Sequence, residues 1–143
     1  MQTESTNERL CETPEELDAF LNRLADAGVD IFHCSTRRFW EPEFEGSDLN
    51  LAGWARKLTG KPSITVGSVG LNADFLPEDG TANFKSAEPA SIDTLLDRAE
   101  RAEFDLVAVG RALIANPDWA NQVAAGEFSE LVAYRKDMLH DLH

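Results

Sequence analysis

The 143-residue sequence has few cysteines and no long apolar run. Two cysteines, Cys11 and Cys34, set no disulfide framework, so reduced thiols and a cytoplasmic location are expected. A membrane-spanning helix needs roughly 18 or more consecutive apolar residues, and the absence of such a run predicts no membrane partner. The first residues are polar and acidic rather than apolar, which argues against a secretory signal.

Basic residues are also scarce. The chain carries 13 Lys and Arg against 26 Asp and Glu, which gives a formal net charge of −13. This excess of acid argues against nucleic acid or an anionic membrane surface as a partner. The hydrophobic fraction of 43% is that of an ordinary globular domain, so the chain can bury a core of its own.

Histidine is rare as well, with three in the chain, and no His, Cys and Asp spacing predicts a metal site. His33 could line an active site, but a buried or half-buried histidine bonded to a backbone group is the expected reading. Cys34 is expected to be a small core residue. A reactive thiol there would need a nearby cation, which Arg37 and Arg38 could supply.

Helical and apolar patterns alternate along the chain. Thr13, Pro14 and Glu16 form a capping-box pattern that begins a helix, and Gly28 ends it. Residues 1–12 are interpreted as a polar tail and residues 13–143 as the folded part. The further predicted elements are a strand over residues 29–35, a helix capped by Asp48 and ended by Gly60, a strand over residues 63–66, a loop over residues 72–90, a helix capped by Ser91, a strand over residues 104–109, short helices after Gly110 and Asp118, and a final amphipathic helix over residues 128–139.

This order of elements predicts an α/β fold. Strands that are apolar on both faces and alternate with helices are typical of a parallel sheet covered by helices. Trp54, at helical spacing with its apolar neighbours, is predicted to lie in the core.

Two predicted loops at the ends of strands have the residues of an anion site. In Gly67-Ser68-Val69-Gly70, glycine lets the backbone approach a ligand closely, and successive amides can form an anion-binding nest. Gly110-Arg111 adds a bare turn, the start of a helix and a guanidinium that matches phosphate with two hydrogen bonds. In β/α barrels, phosphate often binds between the loops of the last strands.

Each loop also has a structural interpretation. A GxxG turn can be no more than a tight turn, and Gly-Arg can be a packing glycine beside a surface arginine. Their occurrence on neighbouring parallel strands favours a phosphate site. The stretch from Arg37 to Trp40 could bind cofactor or substrate, or it could be a solvated loop packed by its aromatic side chains.

Three stretches of the sequence carry a resemblance to a known family. They are GVDIFHCSTRRFWEPEFEGSDLNLAGW, KPSITVGSVGL and EFDLVAVGRALIANPDWA, and the last of them is the most specific. Together they resemble the last three β/α units of the Old Yellow Enzyme-like NAD(P)H:flavin oxidoreductases.

The resemblance implies a TIM (β/α)8 barrel that binds FMN, takes hydride from NAD(P)H and reduces an activated alkene. Carried over by position, Gly67, Ser68, Gly110 and Arg111 would hold the FMN phosphate. The chain supplies about three parallel β/α units of the eight, so a partial barrel is expected. No residue is assigned as a catalytic acid, because the family's substrate-binding pair and usual proton donor lie in the part that this sequence does not contain.

Two functions from different classes follow. One is the FMN-phosphate-binding portion of a flavin oxidoreductase, and the other is a non-catalytic, self-associating partial barrel that does not bind flavin. A different phosphate-binding barrel enzyme is a third. Because a partial barrel leaves strand edges open, a homo-oligomer or association with the missing barrel half is expected.

Overall fold

The structure is a computed structural model that describes residues 10–73 and 86–141. Most of the predicted tail and the middle of the predicted 72–90 loop therefore lie outside the described residues. In chain order the elements are α1 (Pro14–Asp26), β1 (Phe32–Ser35), α2 (Leu51–Thr59), β2 (Ser63–Val66), α3 (Asp93–Glu100), β3 (Leu106–Val107), α4 (Arg111–Ala115), α5 (Trp119–Ala125) and two 3-10 segments, Phe128–Glu130 and Lys136–Asp141.

The chain divides into two compact units. The sheet unit holds residues 10–67 and 93–108, with α1 to α3 and all three strands. The C-terminal unit holds residues 68–73, 86–92 and 109–141, with α4, α5 and the 3-10 segments.

The sheet unit has the predicted α/β order. Its three strands are parallel and pair in the order β1-β2-β3. The register sets His33 against Ile64 and Ile64 against Leu106. The prediction of a mixed α/β fold with a parallel sheet is confirmed, and within residues 10–73 and 86–141 no further strand pairs with either edge.

One face of the sheet is covered by helix α2 over β1 and β2. On that side the side chains of Phe32, Cys34, Ser63 and Thr65 are buried. The other face shows exposed His33 and Ser35, half-buried Ile64 and Val66, and Leu106, which is 53% exposed. A parallel sheet normally has both faces covered, so this face is unusual in being open.

Helix α1 begins as its sequence predicts. The hydroxyl of Thr13 accepts the Glu16 backbone N–H at 3.2 Å, and Pro14 occupies the first turn. The Glu16 carboxylate accepts from the N–H of Glu12 at 2.9 Å, one residue before the expected partner. The cap therefore ties the chain just ahead of the helix to its first turn.

Helix α2 is capped by Asn50, and the prediction that Asp48 caps this helix is wrong. The Asn50 side-chain oxygen accepts from Gly53 N–H at 2.9 Å. Its amide donates to the Phe39 carbonyl at 2.7 Å and to the Thr65 hydroxyl at 3.0 Å. These long-range partners favour Asn50 over Asp48 as the N-cap, and the Asp48 side chain is exposed. The predicted end at Gly60 is confirmed by its left-handed φ of 68°.

Strands β1 and β3 are shorter than predicted. β1 loses the first three predicted residues, and β3 keeps two of the six over residues 104–109. At the start of β3 the Asp105 backbone N–H donates to the Ser63 carbonyl, and the Asp105 carboxylate accepts the Ser63 N–H at 2.9 Å. The Asp105 carboxylate thus takes the place of a backbone carbonyl as the acceptor for the Ser63 N–H where β2 and β3 begin to pair. Helix α3 begins at Asp93, two residues after the predicted cap Ser91.

In the C-terminal unit, the prediction of a helix over residues 128–139 is wrong. The segment between the two 3-10 turns is extended, and Tyr134 pairs with Ala87 through two backbone hydrogen bonds of 2.9 and 3.0 Å. The Asn116 side chain bonds both the N–H and the carbonyl of Val132, at 2.8 and 3.0 Å. These partners replace the hydrogen bonds that a helix would make within itself.

Asp118 sits at the predicted cap position of α5, but its side chain makes no cap hydrogen bond to the helix backbone. It accepts instead from the Asn121 side chain. Across the described ranges, no helix has the length and apolar character needed to cross a membrane.

Candidate functional site

Gly67 follows β2 and belongs to the sheet unit. Its φ is +148°, and a Cβ added to it would lie 2.7 Å from the Thr36 carbonyl oxygen and 3.0 Å from the Arg38 nitrogen. Its own carbonyl accepts the Phe39 N–H at 3.1 Å. Glycine is therefore required here by the close approach of the chain's own backbone.

Ser68 is the next residue and begins the described part of the C-terminal unit. Its φ of +47° is uncommon for a residue other than glycine. Its hydroxyl accepts from Arg111 Nη2 at 3.3 Å and donates to the Ala73 carbonyl at 3.3 Å. The same Nη2 donates to the Ala73 carbonyl at 2.8 Å. The guanidinium thus lies against the turn that follows β2.

Gly110 immediately precedes α4 and is exposed. A Cβ at this position would meet nothing within 4 Å, and the backbone angles are φ −104° and ψ −96°. Packing therefore does not require glycine here. The surface beside Arg111 is left open.

Arg111 also lies near an aromatic ring that the sequence patterns did not single out. Its guanidinium carbon is 5.8 Å from the ring centroid of Tyr134, within the range of a cation–π contact. Tyr134 is fully buried, and its hydroxyl has no hydrogen-bond partner within the described part of the chain. Nothing local predicts this pair, because Tyr134 reaches Arg111 through the bridge to Ala87.

The last glycine of the turn has a packing role. Gly70 has a φ of +68°, and a Cβ there would lie 2.9 Å from the ring of Trp119 in α5. The Gly70 carbonyl accepts the Ala90 N–H at 2.9 Å. This glycine lets a tryptophan close over the turn.

The structure therefore brings two of the four predicted cofactor residues, Ser68 and Arg111, within hydrogen-bond distance in one unit. Gly110 adjoins Arg111 in the chain. Gly67 is bonded to Ser68, but its contacts are those of the sheet unit. The role of all four in holding a phosphate stays a prediction.

The remaining candidates take different places. His33 is exposed on the open sheet face, so the expectation of a buried or half-buried histidine is wrong. Cys34 is buried as predicted, and burial, with a smaller contribution from Glu43, raises the pKa of its thiol to about 11. A thiol with this pKa stays protonated and unreactive at neutral pH.

The aromatic loop after β1 is partly packed. Phe39 is buried and meets Trp40 edge to face at 5.1 Å between centroids, while Trp40 is exposed. Arg38 pairs with Glu41 at 2.6 Å. Trp54 is buried as predicted, against Phe44 at 5.4 Å. Over residues 10–73 and 86–141, no group of three or more His, Cys, Asp and Glu could hold a metal ion.

Comparison with known proteins gives one relative and no family. No family model matches the chain. The chain is similar to the NADH:fumarate oxidoreductase of Klebsiella pneumoniae (strain 342). The two are 31% identical over 140 residues, an alignment that covers 90% of this chain. The chain spans 14% of the length of that relative.

Proposed function

We propose that this chain is the FMN-phosphate-binding portion of an NAD(P)H-dependent flavin oxidoreductase of the Old Yellow Enzyme type. Two sequence findings support the proposal: the resemblance of three β/α stretches to that family, and the similarity to a protein named for NADH and fumarate. The relative's name supports NADH as the hydride donor, and fumarate is an activated alkene. Two free cysteines fit the reducing cytoplasm.

The sheet unit suits a segment of a TIM barrel. In such a barrel parallel strands neighbour each other in chain order, helices cover the outside, and side chains fill the inside. The order β1-β2-β3 and the packing of α2 on one face agree with this arrangement. The uncovered face with Ile64, Val66 and Leu106 would then be the barrel interior.

The observation that carries the cofactor proposal is the 3.3 Å contact between Arg111 Nη2 and the Ser68 hydroxyl. A guanidinium and a hydroxyl are both common phosphate donors, and here they lie side by side next to the open backbone of Gly110. The strained φ of Ser68 is of the kind that accumulates at ligand sites. These residues fit a phosphate group.

Ser68, Gly110 and Arg111 would hold the FMN phosphate, and Gly67 would lead the backbone into the turn. The bound flavin would supply the hydride chemistry, between NAD(P)H and the activated alkene. The residues of this chain bind and orient the cofactor, and none is assigned a proton-transfer step.

The proposal is tested by titrating the chain with FMN and with riboflavin, which lacks the phosphate. We expect FMN to bind more tightly than riboflavin. Arg111→Ala should weaken FMN binding roughly tenfold or more, because a charge-assisted bond to phosphate is lost. The affinity for riboflavin, which has no phosphate, should stay unchanged. Flavin fluorescence quenching measures both affinities. Arg135→Ala is the matched control, since Arg135 is in the same unit and pairs with Asp137 at the surface.

Two results would overturn the flavin assignment. No uptake of either flavin favours the non-catalytic, self-associating partial barrel. Tighter binding of a phosphorylated sugar than of FMN favours a different phosphate-binding barrel enzyme.

A further inference from the structure

Helix α3 carries a buried arginine. Arg98 is 6% exposed, and its guanidinium reaches across to the long loop between β1 and α2. Nη1 donates to the Asp48 carbonyl at 2.9 Å, and Nη2 donates to the Trp40 carbonyl at 3.0 Å. Nη1 also pairs with the buried carboxylate of Glu103 at 3.0 Å.

These contacts hold both ends of one loop segment. Residues 36–50 contain no helix or strand, and they follow the carboxyl end of β1, the end at which parallel α/β proteins bind ligands. Burying a guanidinium and a carboxylate carries a desolvation penalty. A loop whose position did not matter could leave both groups in water. The arrangement indicates that the position of this loop matters.

The loop in turn fixes Gly67. Trp40, which Arg98 holds, directly follows Phe39. The Phe39 N–H donates to the Gly67 carbonyl at 3.1 Å, while the Phe39 carbonyl accepts from the Asn50 amide at 2.7 Å. Arg38 and Thr36 occupy the space that a Gly67 side chain would need. Two hydrogen-bonded steps therefore join Arg98 to Gly67, all within the sheet unit.

We propose that Arg98 is a positioning residue, which sets the backbone of Gly67 at the start of the glycine turn by holding the Trp40 and Asp48 carbonyls. Its effect on cofactor binding rests on the proposed function, because Gly67 leads directly into Ser68. Its effect on the Phe39–Gly67 hydrogen bond does not depend on any ligand.

The chain offers a control in Arg56, whose side chain is 39% exposed. That arginine makes the same kinds of contact, to the Asp105 carboxylate at 3.0 Å and to the Ala102 carbonyl, but it does so where β2 and β3 begin. Arg98→Met and Arg56→Met each remove one arginine that bonds both a carboxylate and a backbone carbonyl. Only the first change affects the loop that contacts Gly67.

The test is amide hydrogen exchange of the full chain by NMR, without ligand. The measured quantity is the exchange rate of the Phe39 amide divided by that of the buried Leu17 amide in α1. Loss of overall stability raises both rates together, so the ratio isolates the local effect. We expect R98M to raise the ratio about tenfold and R56M to leave it unchanged. Arg98→Lys, which keeps a positive charge and can bond one carbonyl, should give an intermediate ratio.

A ratio in R98M equal to that of the wild type, or raised equally in R56M, overturns the proposal. If R98M does not fold, R98K alone is compared with Arg56→Lys by the same ratio. FMN affinity provides the second measurement: R98M should weaken it several-fold and R56M should not. Wild-type chain that binds no FMN would reject the proposed function, while the exchange ratio would still decide the role of Arg98.

Discussion

Cys34 lies on the helix-covered side of β1, and its environment has a consequence for the pH dependence of folding. The pKa of its thiol is about 11 in the folded chain, and the ordinary value is 9.0. Between these values the unfolded chain has lost a proton that the folded chain keeps. The stability contributed by this group is therefore full below pH 9 and is lost as the pH rises towards 11.

We expect the free energy of unfolding to fall by about 2–3 kcal/mol from this group alone between pH 8 and pH 11. Urea denaturation at several pH values measures it. Other groups also titrate in this range, so the comparison is with Cys34→Ala, in which this contribution is absent. Equal alkaline losses in the two proteins would contradict the raised pKa.

At the residue scale, the sequence predicts what depends on neighbours in the chain. The Thr13 cap and the core positions of Cys34 and Trp54 follow from local pattern, and the structure confirms them. Arg98 could not be found in this way. From sequence alone, an arginine on a helix is predicted to lie at the surface. The loop partners of Arg98, Trp40 and Asp48, are 50 or more positions away in the chain.

At the element scale, Asn50 combines the cap of α2 with contacts to two other parts of the sheet unit. Asn50→Ala removes the cap and leaves the Phe39 carbonyl and the Thr65 hydroxyl without this donor. We expect a loss of about 2–4 kcal/mol in the free energy of unfolding, measured by thermal or urea denaturation.

Asp48→Ala serves as the comparison, because Asp48 is the residue that local pattern favours as the cap. Its side chain is exposed, and the Arg98 contact uses its backbone carbonyl, which alanine retains. We expect a change within about 0.5 kcal/mol. A larger loss for Asp48→Ala than for Asn50→Ala would mean that the helix begins two residues earlier.

Element type was predictable where periodicity was strong, and the order of helices and strands up to α5 follows the sequence. The segment over residues 128–139 shows the limit. Its apolar residues fall at helical spacing, yet Ala87 and Asn116 offer hydrogen bonds from elsewhere in the chain. Tertiary partners decide its extended form, and single-sequence patterns contain no information about them.

At the scale of the whole molecule, the sheet formed by the described residues has two free edges and an open face. β1 and β3 each pair on one side only, and Leu106 and Val107 of β3 are exposed. Unpaired strand edges and uncovered apolar side chains favour association. The open face displays no Asp or Glu among its strand residues, so the acidic charge of the chain does not oppose contact there.

We therefore expect the chain to form a homo-oligomer when no complementary barrel segment is present. Size-exclusion chromatography with light scattering should give a mass larger than that of one chain. Leu106→Lys should shift the population towards monomer, because the ammonium group would be buried in the contact. Leu96→Lys is the control, since Leu96 is similarly exposed but lies on α3. A wild-type monomer at high concentration would refute the expectation.

The tight fit around Gly67 affects how a glycine at this position in related sequences should be interpreted. Any side chain at that position would collide with Thr36 whether or not a ligand is ever bound. A copy of the gene that had lost all catalytic use, but still had to fold, would keep this glycine under purifying selection. Retention of Gly67 alone is therefore no evidence that a cofactor site has been kept.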